Sequence, residues 1–244
     1  MTDKLYGTWD AARISPRAED AELQWTWHHL ANQQVGTDRF MPNNGLSQRK
    51  NEIIELWKIY RSMQPRVVVE IGTAQGGTFA AWCRLGHPNA TICSIDRDIN
   101  DCWPRPGNPV NPEIYNGELK MGQDGGGALH LKCHQQDVHS INGWSYEETT
   151  VSHLKAILRG REIDFLWHDA SHQPDTFAKD WKIYRPLMAE GGVFASHDVV
   201  PSADPNSNKS VEWERIKREE SYSAIYEFRP HPSVTEMGIG VIIL

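Results

Sequence analysis

Two apolar runs of this chain stop on the same pair of ionisable residues. "IDFLWHDASH" occupies 163–172 and "GGVFASHDVV" occupies 191–200. Each reads as a short strand closed by His-Asp: His168-Asp169 in the first, His197-Asp198 in the second. A further histidine, His172, follows three residues after Asp169. Carboxylates and imidazoles are the groups that hold divalent cations and move protons. In open α/β sheets ligands sit in the crevice beyond the carboxyl ends of the strands, where such groups project.

A second constellation lies upstream. "VVVEIGTAQGGTFAAW" places Glu70 near the end of a β-branched run, then Gly72, Thr73, Gly76 and Gly77, and then a helix. Glycines permit positive φ and let a ligand approach the backbone. The spacing is neither G-x-G-x-x-G nor a Gly-Lys-Ser/Thr loop, so a dinucleotide fingerprint and a P-loop are both excluded. An acid just before such a turn repels phosphate and favours a positive group, such as the ammonium of an amino acid. Asp96 in "ICSIDRD" ends the next strand, placed to accept the hydroxyls of a ribose. Asp137 in "HQQDVHS" is expected to end the following strand, near an adenine.

The elements that must carry these groups alternate. "GLSQRKNEIIELWKIYRSMQP" is a helix with Ile53, Trp57 and Tyr60 on one face, stopped by Pro65. Strand and helix signals then follow in turn. "RVVVEIG", "ATICSIDR", "LHLKCHQQD", "IDFLWHD" and "GGVFASHD" are strands. "TFAAWCRLG", "VSHLKAILRG", "PDTFAKDWKIYRPLM" and "SVEWERIKREE" are helices. "AIYEFRPH" and "GIGVIIL" close the chain as strands able to form an antiparallel edge hairpin. The pattern predicts an α/β fold: a Rossmann-like, doubly wound and mostly parallel sheet with helices on both faces. Residues 1–45, polar and aromatic with one helix near 18–33, form an N-terminal helical extension to a domain spanning 46–244. The Pro-, Gly- and Asn-rich stretch 99–127 is a loop long enough to serve as a substrate lid.

Bulk properties narrow the class. The 244 residues carry a net charge of −7, which disfavours sequence-independent nucleic-acid binding. Four scattered cysteines (Cys83, Cys93, Cys102, Cys133) without a C-x-x-C argue against a disulfide framework or structural zinc. With no signal-peptide pattern and no membrane-length apolar run, the expectation is a cytoplasmic protein without membrane partners.

"EIGTAQGGT" followed by "SIDRD" resembles the cofactor site of class I S-adenosylmethionine-dependent methyltransferases. Residues 45–69 and 163–200 narrow the resemblance to the cephalosporin hydroxylase–macrocin O-methyltransferase branch, whose characterised members include metal-dependent O-methyltransferases of natural-product sugars. The resemblance implies S-adenosyl-L-methionine as cofactor, with Glu70 near its methionine ammonium, Gly72 and Gly77 against it, Asp96 on its ribose and Asp137 toward its adenine. It also implies that strand 163–168 lies beside the glycine-turn strand, with 192–197 next in line. Neighbouring strands run about 4.8 Å apart. Asp169 and Asp198 then share one crevice, where two carboxylates repel unless a cation or proton sits between them.

The branch's pattern is an acid, a histidine three residues on, and an acidic pair ending the next strand. Asp169, His172 and Asp198 match it, whereas His197 stands where the pattern has glutamate. The expectation is therefore a divalent metal on Asp169, His197 and Asp198, Mg²⁺ first, with Mn²⁺, iron or zinc favoured if the imidazole binds. His172 is the general base, and Asp169 works beside it in catalysis. The function expected is O-methyl transfer to a small hydroxylated molecule by a homo-oligomer. Two alternatives stand beside it: a non-haem iron oxygenase built on two histidines and an acid, and a non-catalytic cofactor-binding module.

Overall fold

Alternate residues of each central strand divide between two apolar cores, as the two-residue period of a strand requires. Val68, Phe165, Trp167, Val193, Ala195 and Val241 face one core. Val67, Val69, Ile71, Leu166, Phe194 and Ile242 face the other. A computed structural model describes residues 21–24, 26–27, 48–73, 76–97, 135–201, 209–229 and 238–244.

Seven strands form one sheet in the order β3-β2-β1-β4-β5-β7-β6. They are β1 (Val67–Ile71), β2 (Thr91–Asp96), β3 (Asp137–Asn142), β4 (Ile163–His168), β5 (Met188–His197), β6 (Ala224–Phe228) and β7 (Ile239–Ile243). β1 to β5 are mutually parallel. β7 inserts antiparallel between β5 and β6, so the C-terminal pair is the expected antiparallel edge. The strand order reverses between β1 and β4, the switch at which a crevice opens.

Helices α1 (Lys50–Met63) and α2 (Gly77–Leu85) cover one face. Helices α3 (Glu148–Leu158), α4 (Pro174–Tyr184) and α5 (Lys209–Glu219) cover the other. α1 ends at Met63, two residues before the expected Pro65, and Gln64 between them takes a left-handed cap at φ 49°. α4 is shorter than its apolar pattern: a 3₁₀ turn at Arg185–Leu187 follows it, and Met188 already belongs to β5. Residues 21–24 and 26–27 are helical. There Leu23 and Trp27 join the α1/α2 face, and Glu22 pairs with Arg61 and Arg84. The rest of the N-terminal extension, the 99–127 loop, Cys102 and Cys133 lie outside the described residues. No helix among the described residues is long and apolar enough to cross a membrane.

One expected strand is corrected. The apolar alternation of "LHLKCHQQD" pointed to a strand ending at Asp137, but Asp137 begins β3, in register with Thr91 at the start of β2. Residues 129–134 of that stretch lie outside the described residues. As an edge strand β3 buries only Val138 and Ile141 deeply, so it lacks clean alternation.

Candidate active site

The crevice is built from strand exits tied together beyond their ladders. Gly72 N–H donates to Ile95 O at 2.9 Å, Asp169 N–H to Ile71 O at 2.8 Å, and Gly143 N–H to Asp96 O at 3.0 Å. These bonds hold the last residues of β1, β2, β3 and β4 side by side. Gly72 has φ +85°, and a Cβ there would lie 2.2 Å from Asp169 O. Only glycine fits where the chain leaves β1 against the backbone of β4.

A cavity of about 490 Å³ opens over these exits, walled by Gly72, Asp96, Gly143, Trp144, Ser145 and Asp169, among others. Asp96 is aimed by the glycine turn: Thr73 N–H donates to Asp96 Oδ2 at 2.8 Å, and Thr73 Oγ1 pairs with Ser94 Oγ. Gly76, at φ 84°, caps α2, whose first residue is the buried Gly77. Of the expected cofactor residues, Gly72 and Asp96 line the cavity, while Thr73, Gly76 and Gly77 shape the turn behind it.

Two expectations change here. Asp137, at the amino end of β3, lies at the opposite end of the strands from the cavity, with its carboxylate 3.0 Å from His139 Nε2. The wall after β3 is Gly143–Tyr146 instead. Glu70 is fully buried beneath the turn and outside the cavity wall. Its Oε1 accepts from Thr78 Oγ1 at 2.5 Å and Trp82 Nε1 at 3.1 Å. Burial, only partly offset by those donors, pushes its carboxyl up to about 8.

The two His-Asp strand ends meet. Asp169 follows β4 and Asp198 follows the neighbouring β5. One ligand atom each from Asp169, His172 and Asp198 lies within 4.8 Å of the others. His172 Nε2 is 3.2 Å from Asp198 Oδ2, and its side chain is 51% exposed. Asp198 has φ 58°, a left-handed conformation uncommon for a non-glycine residue. This oxygen, oxygen and nitrogen donor set fits a small divalent cation.

His197 is not in that set. Its Nδ1 lies 3.2 Å from Asp169 Oδ1 and 3.3 Å from Asp198 Oδ2, bridging the carboxylates from within the sheet. Burial alone would lower the His197 pKa, but the Asp169 and Asp198 charges and bonds outweigh it and raise it to about 10. In turn, burial would raise Asp169, and the His197 charge, with Lys209 and His172, brings it down to about 2. The imidazolium thus meets much of the repulsion that called for a cation.

Further groups complete the site that sequence reasoning did not single out. Gln48 Nε2 donates to Asp169 Oδ2, and Glu52, one turn on in α1, is buried nearby. Lys209, the first residue of α5, is buried with Nζ 3.2 Å from His168 O, and burial lowers it to about 8. His168 Nε2 bonds Asp180 Oδ2 at 2.9 Å, and Asp180 Oδ1 accepts from Ser145 Oγ at 2.7 Å, linking β4 to the cavity wall. His168 is therefore a core histidine.

The fold is that of class I S-adenosylmethionine-dependent methyltransferases. The chain belongs to the methyltransferase-domain family, whose model matches residues 69–199, more than half of its length. No curated protein sequence matches it. Three solved structures share the fold at low identity. The O-methyltransferase from Bacillus cereus in complex with SAH is 16% identical, with TM-score 0.51 over 92% of this chain and 91% of that one. Cofactor-bound Rv0187 from MTB is 15% identical, with TM-score 0.54 over 92% and 88%. The O-methyltransferase TomG from Streptomyces achromogenes, involved in tomaymycin synthesis and in complex with SAM, is 13% identical, with TM-score 0.50 over 93% and 89%.

Proposed function

We propose that this methyltransferase acts on a hydroxyl of a small molecule, with a divalent cation held between Asp169 and Asp198 and His172 as general base. The observation that carries the reading is the convergence of Asp169, His172 and Asp198, the first of which also lines the cavity. The likeness of residues 163–200 to metal-dependent sugar O-methyltransferases supports it, as do the O-methyltransferases among the structures sharing the fold.

S-adenosylmethionine, when bound, supplies an electrophilic methyl group, and a divalent cation, when bound, lowers the pKa of an adjoining hydroxyl. The chain's own residues do the rest. Asp96 and the backbone at Gly72 hold the donor in the cavity over β1 and β2. Asp169 stands at both the cavity wall and the cation site, so donor and acceptor meet beside it. His172 Nε2, half-exposed beside Asp198, takes the acceptor's proton. General-base help of this kind is worth roughly 10²–10⁴-fold. The acceptor's selection and any subunit contact are assigned to residues 1–45 and the 99–127 loop, with a homo-oligomer as the proposed assembly.

Methyl transfer from labelled S-adenosylmethionine, assayed with a panel of hydroxylated acceptors, tests the reading. Activity falls with EDTA, returns with Mg²⁺ or Mn²⁺, and is lost in Asp198→Ala. Activity indifferent to both changes removes the cation from the mechanism. The structure also lets His172 serve as a third ligand. Calorimetry with Mn²⁺ separates the roles: His172→Ala keeps cation affinity if the residue is a base and loses it if it is a ligand.

A further inference from the structure

The cavity wall that follows β3 has little apolar packing of its own. β3 is an edge strand, and of its side chains only Val138 and Ile141 are deeply buried. The wall Gly143–Tyr146 is instead pinned from α4. Ser145 is held at two atoms: its Oγ donates to Asp180 Oδ1 at 2.7 Å, and its backbone oxygen accepts from Tyr184 Oη at 2.7 Å. Lys179, beside Asp180, places Nζ 5.4 Å over the Tyr146 ring. Asp180 and Tyr184 are buried and four residues apart, on one face of the helix. Asp180 is fixed in turn, because its other oxygen lies 2.9 Å from His168 Nε2 within β4.

The same helix also supplies lining of its own, since Gln173 and Thr176 at its start reach the cavity. One element thus contributes to the lining with its first turn and anchors a second part of it with its later turns. A carboxylate buried in an apolar core is costly unless its bonds are made. Here they are made to a cavity-lining serine and to the strand that ends beside Asp169. We infer that Asp180 is a positioning residue for the methyl donor: acting through Ser145, it holds the Gly143–Tyr146 wall in the geometry that S-adenosylmethionine meets. This rests on the proposed seat of the donor in that cavity. A wall already in place costs the ligand nothing to order. A released wall lowers the apparent affinity by the fraction of molecules that hold the competent arrangement.

Calorimetry with S-adenosylhomocysteine on the full chain tests it. Asp180→Asn keeps the shape but puts an amide where a carboxylate accepts from two neighbours. It should raise the Kd by about 10-fold, the size of one such bond. Ser145→Ala should weaken binding comparably, and Asp180→Asn added to Ser145→Ala should weaken it no further, because the first acts through the second. An acid that served the fold alone would add its effect in full, and additive effects overturn the proposal. If Asp180→Asn fails to fold, Tyr184→Phe takes its place. That variant frees the Ser145 carbonyl, leaves the Asp180–His168 pair intact, and should raise the Kd by about 3–10-fold. In turnover, KM for S-adenosylmethionine rises while kcat is kept, the mark of lost binding rather than lost chemistry. Asp96→Ala separates this proposal from the reading beneath it. Affinity lost in Asp96→Ala but unchanged in Asp180→Asn, or in Tyr184→Phe where that stands in, overturns the role of Asp180 and keeps the donor in the cavity. Affinity indifferent to Asp96→Ala places the donor elsewhere and removes both.

Discussion

Asp198 carries a side chain at φ 58°, where glycine is at ease and other residues are strained by about 1 kcal/mol or more. Such outliers persist where the surrounding structure needs the side chain aimed in one direction, here toward Asp169 and His172. Two substitutions separate strain from function. Asp198→Gly and Asp198→Ala both lose the carboxylate and the response to Mn²⁺. The glycine variant is the more stable by about 1 kcal/mol in urea titration, because alanine keeps the strain. Equal stabilities would mean that the strain is not stored at this residue. Gly72 presents the opposite case. A Cβ added there meets Asp169 O and must adopt φ +85°. Gly72→Ala is expected to destabilise the fold by roughly 2 kcal/mol or more and to weaken S-adenosylhomocysteine binding, both measurable by calorimetry. At this scale the sequence exposes what local pattern encodes. The His-Asp strand ends announce themselves because an apolar run stops on charge. Gln48, Glu52 and Lys209 do not, since each looks like an ordinary polar residue until packing brings Gln48 across 121 positions to Asp169 and Lys209 across 41 to His168.

Between elements, the joint of β1 and α2 turns on one buried acid. Glu70 sits at a central strand position, and α2 reaches back with Thr78 and Trp82 to hold its carboxyl. Burial raises that carboxyl from 4.5 to about 8. Between those values the unfolded chain has released the proton and the folded chain retains it, so stability falls as pH rises. The contribution of the neutral acid is complete below 4.5 and lost as pH passes about 8. Glu70→Gln removes this dependence. Relative to the variant, the wild type should lose on the order of a few kcal/mol between pH 5 and 9, read as diverging urea midpoints. Parallel midpoints would show that Glu70 ionises normally in the fold. The elements themselves follow from periodicity wherever they are well buried on one or both faces, as β1, β4, β5 and α1 are. β3 does not, because an edge strand with two deeply buried side chains carries little pattern, and the sequence alone therefore puts Asp137 at the wrong end of it.

Across the whole molecule, the reversal of strand order at β1 and β4 divides the crevice. The cavity lies over the β1-β2-β3 side, with Gly72, Asp96 and Gly143–Tyr146, and is closed by the segment after β4 from Asp169 to Thr176. The β4-β5 side carries Asp198, His172 and His197. Among the described residues, Asp169 alone both lines the cavity and faces Asp198. Ligand linkage makes this division measurable. A ligand at a hundred times its Kd stabilises the folded state by about 2.7 kcal/mol, a Tm rise of roughly 5–11 °C for a chain of this size. S-adenosylhomocysteine and Mn²⁺ should each raise Tm in the wild type. Asp198→Ala should abolish the Mn²⁺ shift and leave the S-adenosylhomocysteine shift in place, because its carboxylate lies outside the cavity wall. Asp169→Ala should diminish both, and it should also lower the unliganded Tm, since His197 and Lys209 lose their largest counter-charge. A Mn²⁺ shift that survives both substitutions would place any cation elsewhere. Two shifts that vanish together in Asp198→Ala would show that the halves of the crevice are not independent and that the strand reversal does not separate donor from cation.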